Sequence, residues 1–350
     1  MEHHRQLAVI ILNWKNASDT IECLNSVLKA TENISSVIFV VDNGSGDNSV
    51  EEIRSWLKQQ KIGFFHFRSK EKEKESLHSA SDYFSGLVCL LENHENLGFA
   101  KGNNAAIKFA LHQFPVSFEK YLLLNNDTVV PPQGINRLIE AAETYPEFLV
   151  WTPVIIYADQ KDKVWNAGGF LGRWGGRKYL AHKKHQSQLP SSGIRQITFI
   201  TGCALLADKS IWEKNIFLNE DFFFGEEDYF FSMQMKKLKI KMAVAFDAVI
   251  YHKVNSSIKQ VSPESSLPLL FIHFLNRTID MRKWMSPMLF RIWRPGFMLH
   301  AAFNTWWKRW YSFSIMWQFT RLLEQQSKNK TKVTKEDFFG AEKLFKSKAK

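Results

Sequence analysis

Three carboxylates stand side by side at Glu226, Glu227 and Asp228, within NEDFFFGEEDYFFSMQMKKLKIKM. Like charges held together raise the proton affinity of at least one member, and a carboxyl tuned in this way can act as a general base. The same three acids complement the positive end of the helix predicted over 226–237, so a structural role accounts for them equally well. Two other acids end hydrophobic runs. FVVDNGSGDNS, 39–49, drives an apolar segment into Asp42 and then into a loop of Asp, Asn, Gly and Ser. A carboxylate there can accept hydrogen bonds from a base edge or a ribose, or can cap the next helix. YLLLNNDTVVPP ends on Asn125, Asn126 and Asp127, an oxygen ligand at a strand end that suits a hard cation bridging diphosphate oxygens. Asp127 cannot hold such an ion unaided. His252, just past a strand in VIYHKVNSSI, is either a second ligand or a structural histidine. ENLGFAKGNNAAI, 95–107, opens a helix on a glycine turn whose free N–H groups favour phosphate or ribose oxygens, though it is neither a GxGxxG nor a P-loop.

The elements that must carry these residues alternate. LAVIIL, SVIFVV and YLLLN read as strands, and helical patterns run near 18–29, 49–59 and 104–112. That order predicts βαβ units around a mainly parallel sheet, whose ligands bind at the carboxyl ends of the strands. Asp42 and Asp127 then share one rim. Either GFFHF or LVCLL supplies a third strand, and the charged, Ser-rich segment 68–86 between them reads as a solvated insertion. Residues 151–195, with NAGGFLGRWGG, read as irregular loops. QITFI reads as a strand that TGCALL continues, MAVAF as a further strand, and VSPESSLP as a linker, and no internal repeat is evident.

Composition is globular, at 45% hydrophobic, 14% aromatic and 23% charged residues. Cys23, Cys89 and Cys203 form no metal or disulfide spacing, which favours a reducing compartment. The opening segment is too short in apolar residues for a membrane span and lacks a signal-peptide cleavage pattern, so the expectation is a cytoplasmic protein. The charge is segregated: residues 264–350 hold 16 Lys and Arg against 6 Asp and Glu, which leaves little of the total +11 to the rest. Six of the 12 tryptophans also lie there. Trp306, Trp310, Phe313 and Trp317 step by four, three and four, placing them on one face of a predicted helix. Basic residues interrupt every apolar run, which excludes a spanning helix and predicts an interfacial one on an anionic membrane, the alternative being packing onto the core. No nucleic-acid-binding signature accompanies the charge, so nucleic acid is not an expected partner.

In order, VDNGSGDNS, NLGFAKGNN, LLLNND, TGCALL, FFFGEED and YHKVNSS resemble the family 2 glycosyltransferases, particularly their rhamnosyltransferase-like branch, over roughly 8–257. The resemblance implies an α/β, GT-A (Rossmann-like) nucleotide-diphospho-sugar transferase domain over 1–262, and the charge and tryptophans of 263–350 predict a helical, basic, Trp-rich extension that associates with membrane. The resemblance implies an inverting enzyme that moves a sugar from dTDP-rhamnose or a UDP-hexose to a hydroxyl of a saccharide acceptor, and a membrane-docked tail suits an acceptor that is lipid-linked, as in cell-surface polysaccharide assembly. The protein would sit peripherally on the inner face of the cell membrane. The competing possibility is an inactive nucleotide-binding or membrane-scaffold protein that keeps the fold.

Residue by residue, the resemblance makes Asp42 the contact to the nucleotide base and sets Gly98, Phe99 and Asn103 along the nucleotide and sugar. Asn13, Asn43, Gly102, Asn126, Asp127 and Gly202 complete the donor-binding set. Asp127 and His252 would hold Mg²⁺ or Mn²⁺, with Asn125 standing where the family's DxD motif usually begins with Asp. Asp228 matches the catalytic base, and Glu227, Trp165 and Gly168 lie near the acceptor. Phe230 replaces an acid that relatives often carry two positions after the base.

Overall fold

The computed structural model describes residues 7–68, 85–172, 174–254, 266–309 and 311–346. Its centre is an 11-stranded sheet. The strands along its path are β1 (Leu7–Asn13), β2 (Ser36–Asp42), β3 (Phe64–Arg68), β4 (Ser85–Glu92), β5 (Lys120–Asn125), β7 (Phe148–Tyr157), β11 (Ile194–Ile197), β12 (Ala204–Asp208) and β13 (Lys241–His252), with β6 (Thr128–Val129) and β8 (Val164–Asn166) attached at the side. A separate two-stranded ribbon joins β9 (Gly169–Leu171) to β10 (Arg177–Tyr179).

The path runs β11-β13-β7-β12-β5-β1-β2-β4-β3. From β5 to β3 every pairing is parallel, and β7 runs parallel to β13, while β12 and β11 are antiparallel to their neighbours. Continuous apolar runs such as LAVIIL and SVIFVV are what such a position requires, because a central parallel strand is buried on both faces. The sheet faces are covered by α1 (Ala17–Ala30), α2 (Ser49–Gln59), α3 (Phe99–His112), α4 (Gly134–Thr144), the short α5 (Lys209–Glu213) and α6 (Glu227–Lys237). Ile10, Phe39 and Leu123 pack on one side, and Val9, Ile38 and Leu122 on the other. The order is that of βαβ units, so the strands' carboxyl ends meet on one rim.

Four sequence expectations need correction. GFFHF and LVCLL are both strands, paired parallel, with LVCLL inserted next to β2. The intervening insertion lies outside the described residues apart from its flanks. TGCALL does not continue QITFI: its strand β12 fits between β5 and β7, while QITFI gives β11 at the sheet edge on β13. Residues 151–195 are not loop throughout. They hold most of β7, the strands β8 and β9, and β10, where short glycine-rich strands lack a periodicity long enough to read.

The fourth correction concerns the C-terminal aromatics. Four helices follow the sheet: α7 (Ser266–Trp284), α8 (Pro287–Phe303), α9 (Phe313–Asn329) and α10 (Lys335–Lys346). Between α8 and α9 the chain widens into a π-type turn at Asn304–Lys308, and the Ser312 hydroxyl then caps a new helix by accepting from the Ile315 N–H at 3.3 Å. Trp306 therefore does not share a helix with Phe313 and Trp317, and Trp310 lies outside the described residues. Phe271, Phe274, Phe319 and Leu323 form this layer's own core. Its tryptophans divide: Trp293 is buried, whereas Trp306, Trp307 and Trp317 are exposed. No described helix is long and apolar enough to cross a membrane.

Candidate active site

The strand-end rim is tied together by buried amides and hydroxyls. Asn13 ends β1 and donates its side-chain N–H to Asp42 Oδ1 at 2.7 Å, and Asp42 ends β2 directly beside it. The Thr20 hydroxyl, on α1, donates to Asn13 Oδ1 at 2.7 Å, and Asn126 donates in turn to Thr20 Oγ1 at 3.0 Å. Asp42 Oδ2 also accepts from the Ser45 backbone N–H at 3.0 Å. A buried carboxylate needs such donors, and these fix the loop at the same time. Asn43 works likewise, donating to the Asn96 side chain and the Gly98 carbonyl, both at 3.1 Å, and so fastens the glycine turn that opens α3. Asn103 turns back to the Phe99 carbonyl at 2.9 Å. Thr20 and Ser45 carry this network, yet nothing in the sequence singled them out beyond their place beside motif residues.

Gly98 shows how the rim meets the acidic segment. It has φ +82°, and a Cβ there would lie 2.3 Å from the Phe223 carbonyl oxygen, so only glycine lets the two backbones approach. Gly202 abuts the Phe99 ring in the same region, and Gly102 packs against Leu12 and Asn43. The glycine turn, the TGC turn and the strand ends are thus one contiguous surface.

Asp127, in the turn after β5, faces His252 at the end of β13, with Oδ1 and Nε2 3.1 Å apart. The Trp165 ring stands edge-on to His252 at 4.4 Å between centroids. His252 Nδ1 is buried and has no hydrogen-bond partner among the described residues. Cys23 and Cys203 lie close to Asp127, but burial pushes the Cys23 thiol up to about 12 and raises Cys203 as well, so neither offers a thiolate. The available donors are one carboxylate and one imidazole, a set that suits Mg²⁺ or Mn²⁺ better than a soft metal. Among the described residues no group of three His, Cys, Asp or Glu gathers to hold a metal. The pair fits a cation whose remaining ligands come from a bound diphosphate and water.

The acidic triplet is resolved into unlike parts. Glu226 precedes α6 with φ +70°, a left-handed conformation that is costly without a Gly. Arg277, on α7, holds it there by two contacts, Nε to Oε2 at 2.5 Å and Nη2 to Oε1 at 3.1 Å, while also donating to the Gly175 carbonyl. The same guanidinium lies 3.6 Å from the centroid of the Tyr229 ring. Burial alone would raise the Glu226 carboxyl, but Arg277, together with His273, outweighs it and brings the group to about 2. Glu226 is therefore a fixed anion with both oxygens engaged, which removes it as a base.

Glu227 and Asp228 go the other way. Burial, then the neighbouring Asp228, pushes Glu227 up to about 8, and its buried Oε2 has no hydrogen-bond partner among the described residues. Burial also raises Asp228, against the opposing pull of the Arg177 guanidinium 3.7 Å away. Asp228 keeps 21% of its side chain exposed, with the Arg177 guanidinium as its cationic neighbour. Arg177 lies over the Phe199 ring at 5.3 Å, and Gly168 abuts Phe199 and Ile197, which brings the Trp165–Gly168 loop to the same side as Asp228. Arg177, Arg277 and His273 were not read from the sequence. Arg177 sits in a glycine-rich stretch without periodicity, and the other two lie beyond the last motif.

The segment leading into the acids is also gripped from the C-terminal helices. Asn276 donates to the Phe224 carbonyl at 2.8 Å, and the Phe223 N–H donates to the Val333 carbonyl at 2.9 Å. Tyr229, Phe199 and Leu171 share a buried cluster with Met281, Met285 and Trp293.

Solved structures share this fold. A mannosyltransferase, PcManGT from Pyrobaculum calidifontis in complex with GDP-Man and Mn²⁺, matches with TM-score 0.53 and 11% identity, covering 98% of this chain and 87% of that one. The fold is of the GT-A glycosyltransferase type. TarS 1-349 from S. aureus also matches, with TM-score 0.47 and 14% identity over 97% of this chain and 87% of that one. Among curated proteins, the low-salt glycan biosynthesis hexosyltransferase Agl10 of Haloferax volcanii is 21% identical over 291 residues, 82% of this chain and 78% of its own length. No family model matches the chain.

Proposed function

We propose that this protein is an inverting glycosyltransferase that moves a hexosyl or rhamnosyl unit from a nucleotide-diphosphate sugar to a hydroxyl of a saccharide acceptor in glycan assembly. The observation that carries the reading is the placing of Asp228: a part-exposed carboxylate in the first turn of α6, with the Arg177 guanidinium 3.7 Å away, following the segment whose Phe223 carbonyl meets Gly98 of the glycine turn. A hexosyltransferase relative and a fold neighbour whose structure holds GDP-Man and Mn²⁺ support the same class of chemistry.

Asp228 accepts the proton of the acceptor hydroxyl as its oxygen attacks the anomeric carbon and the bond to the nucleoside diphosphate breaks. A single displacement of this kind inverts the anomeric centre and needs no covalent intermediate. Arg177 opposes the effect of burial on Asp228 and so favours its ionised, proton-accepting form, while the raised proton affinity of Glu227 limits repulsion between the two neighbours. Asp127 and His252 would hold Mg²⁺ or Mn²⁺, which when bound neutralises charge on the departing diphosphate. Asp42, with its Asn13 and Ser45 donors, and the Asn43–Gly98 turn present a preformed platform to the nucleoside. The acceptor is a lipid-linked saccharide, and the basic helical layer, with Trp306, Trp307 and Trp317 exposed, rests on an anionic membrane surface from the cytoplasmic side.

The test is a thermal-shift panel of dTDP-rhamnose, UDP-hexoses and GDP-mannose with and without Mn²⁺, followed by NMR of the product formed by the best donor. One donor should raise the melting temperature, more so with metal, because a ligand that binds only the native state stabilises it. The product should carry the anomeric configuration opposite to that of the donor. A retained configuration, or no shift with any donor, would refute the reading.

A further inference from the structure

A cleft of about 700 Å³ opens between the Trp174–Arg177 loop and the helices α7 and α8. Its walls are of two kinds. Trp174, Ile292 and Trp293 are apolar, whereas Arg177, His300 and Arg309 carry or can carry positive charge, and among the described residues no carboxylate lines it. Arg277 also reaches it but is spent on Glu226. One end of the cleft touches the reaction site, because Arg177 stands 3.7 Å from Asp228.

The α8 wall carries an apolar surface. On α8, Ile292, Gly296 and His300 recur every fourth residue along the cleft wall. Ile292 is 61% exposed there, and Met288, Leu299 and Phe303 on the same helix are exposed by 75%, 72% and 50%. A cleft that holds cations, has no acid among its described lining residues, is flanked by exposed apolar side chains and shares Arg177 with the proposed base fits a ligand that is anionic and lipid-bearing.

We propose that this cleft binds the acceptor as a polyprenyl-phosphate-linked or polyprenyl-diphosphate-linked saccharide. The phosphate lies against Arg309 and His300, the lipid leaves across Ile292, and the sugar extends past Arg177 to Asp228. The identity of the reacting hydroxyl rests on the glycosyltransferase reading; the binding of a prenylated phosphate does not.

The experiment is calorimetric titration of the full chain in EDTA, which prevents a metal at Asp127 and His252 from capturing diphosphate. The probes are farnesyl diphosphate, inorganic diphosphate and farnesol, each below its micelle concentration. Farnesyl diphosphate should bind at least about tenfold more tightly than either fragment, and Arg309→Glu and Ile292→Asp should each weaken it by about tenfold. Both substituted side chains are exposed, so the variants should keep the wild-type melting temperature. Asp127→Asn should leave this binding unchanged. Equal binding by both cleft variants and wild type, loss of binding in Asp127→Asn, or equal affinity for inorganic diphosphate would each overturn the assignment. A protein that binds farnesyl diphosphate through Arg309 and Ile292 but transfers no sugar would sink the transferase reading and leave the cleft standing.

Discussion

The two halves of the candidate site are built on opposite principles. At the strand-end rim, Asp42, Asn13, Thr20 and Asn126 satisfy one another through short hydrogen bonds between neighbouring strand termini and the helix that follows β1. At the start of α6, the partners come from far along the chain: Arg277 and Asn276 from α7, Gly175 and Arg177 from the loop beside β10, and Val333 from the stretch before α10. The rim is a platform that the sheet topology supplies. The proposed base depends on a proton affinity that tertiary packing sets. Conserving residue types at the motif would leave the first intact, while the second also depends on a helix that carries no motif.

That contrast is testable. Replacing Asp228 by Asn should cost the most, about 10² to 10⁴ in turnover, with the donor-induced thermal shift retained, since the base acts only in the chemical step. Steady-state kinetics beside thermal shift would separate the two, and loss of donor binding with intact turnover would reassign Asp228 to the platform.

Arg277→Met should destabilise the fold by about 3 to 5 kcal/mol in urea unfolding, because it strands the buried Glu226 charge. Adding Glu226→Gln should restore much of that loss. A single variant as stable as wild type would mean that the left-handed turn before α6 holds itself.

The next effect is one of pH. Burial, then the nearby Glu226 charge, raises Asp280 on α7 from 3.8 to about 8. Between those values the folded chain keeps a proton that the unfolded chain has released, so this group makes stability fall as pH rises through the window. Asp280→Asn should remove that part of the decline, about 2 kcal/mol between mildly acidic and mildly basic buffers once relaxation around the charged group is allowed for. Melting temperatures measured across pH would show parallel curves for the two proteins if the assignment is wrong. The smallest effect belongs to the rim: Asn13→Ala should cost about 1 to 2 kcal/mol, since Asp42 keeps its Ser45 donors and the Thr20 hydroxyl keeps the Asn16 carbonyl as an acceptor.

The legible parts of the site were those written in contiguous residues. Strand-end carboxylates announce themselves because a buried parallel strand is an unbroken apolar run, and whatever polar residue ends it lies on the rim; Asp42, Asn126 and Asp127 were found in this way. The acids at 226–228 were legible as a cluster, but not which of them was engaged. LVCLL and GFFHF could not be ranked because both are strands, and periodicity carries no information on which neighbour each will pair with. The break in the aromatic stripe was missed because Ser312 caps a helix only if the chain has already turned there, and a four-three-four spacing looks the same on either side of such a turn.

By itself, then, the sequence determined the alternation of strand and helix, the rim that ends it, and the residue types offered there, since these depend on interactions between near neighbours. Tertiary structure alone decided that Glu226 pairs with Arg277, that burial beside Asp228 raises the Glu227 carboxyl, and that Arg177 stands against Asp228 to oppose the same effect of burial there. The reason is electrostatic. A carboxyl's proton affinity is set by how much water it loses and which charges approach within a few ångströms, and neither quantity exists until α7 has packed against the start of α6.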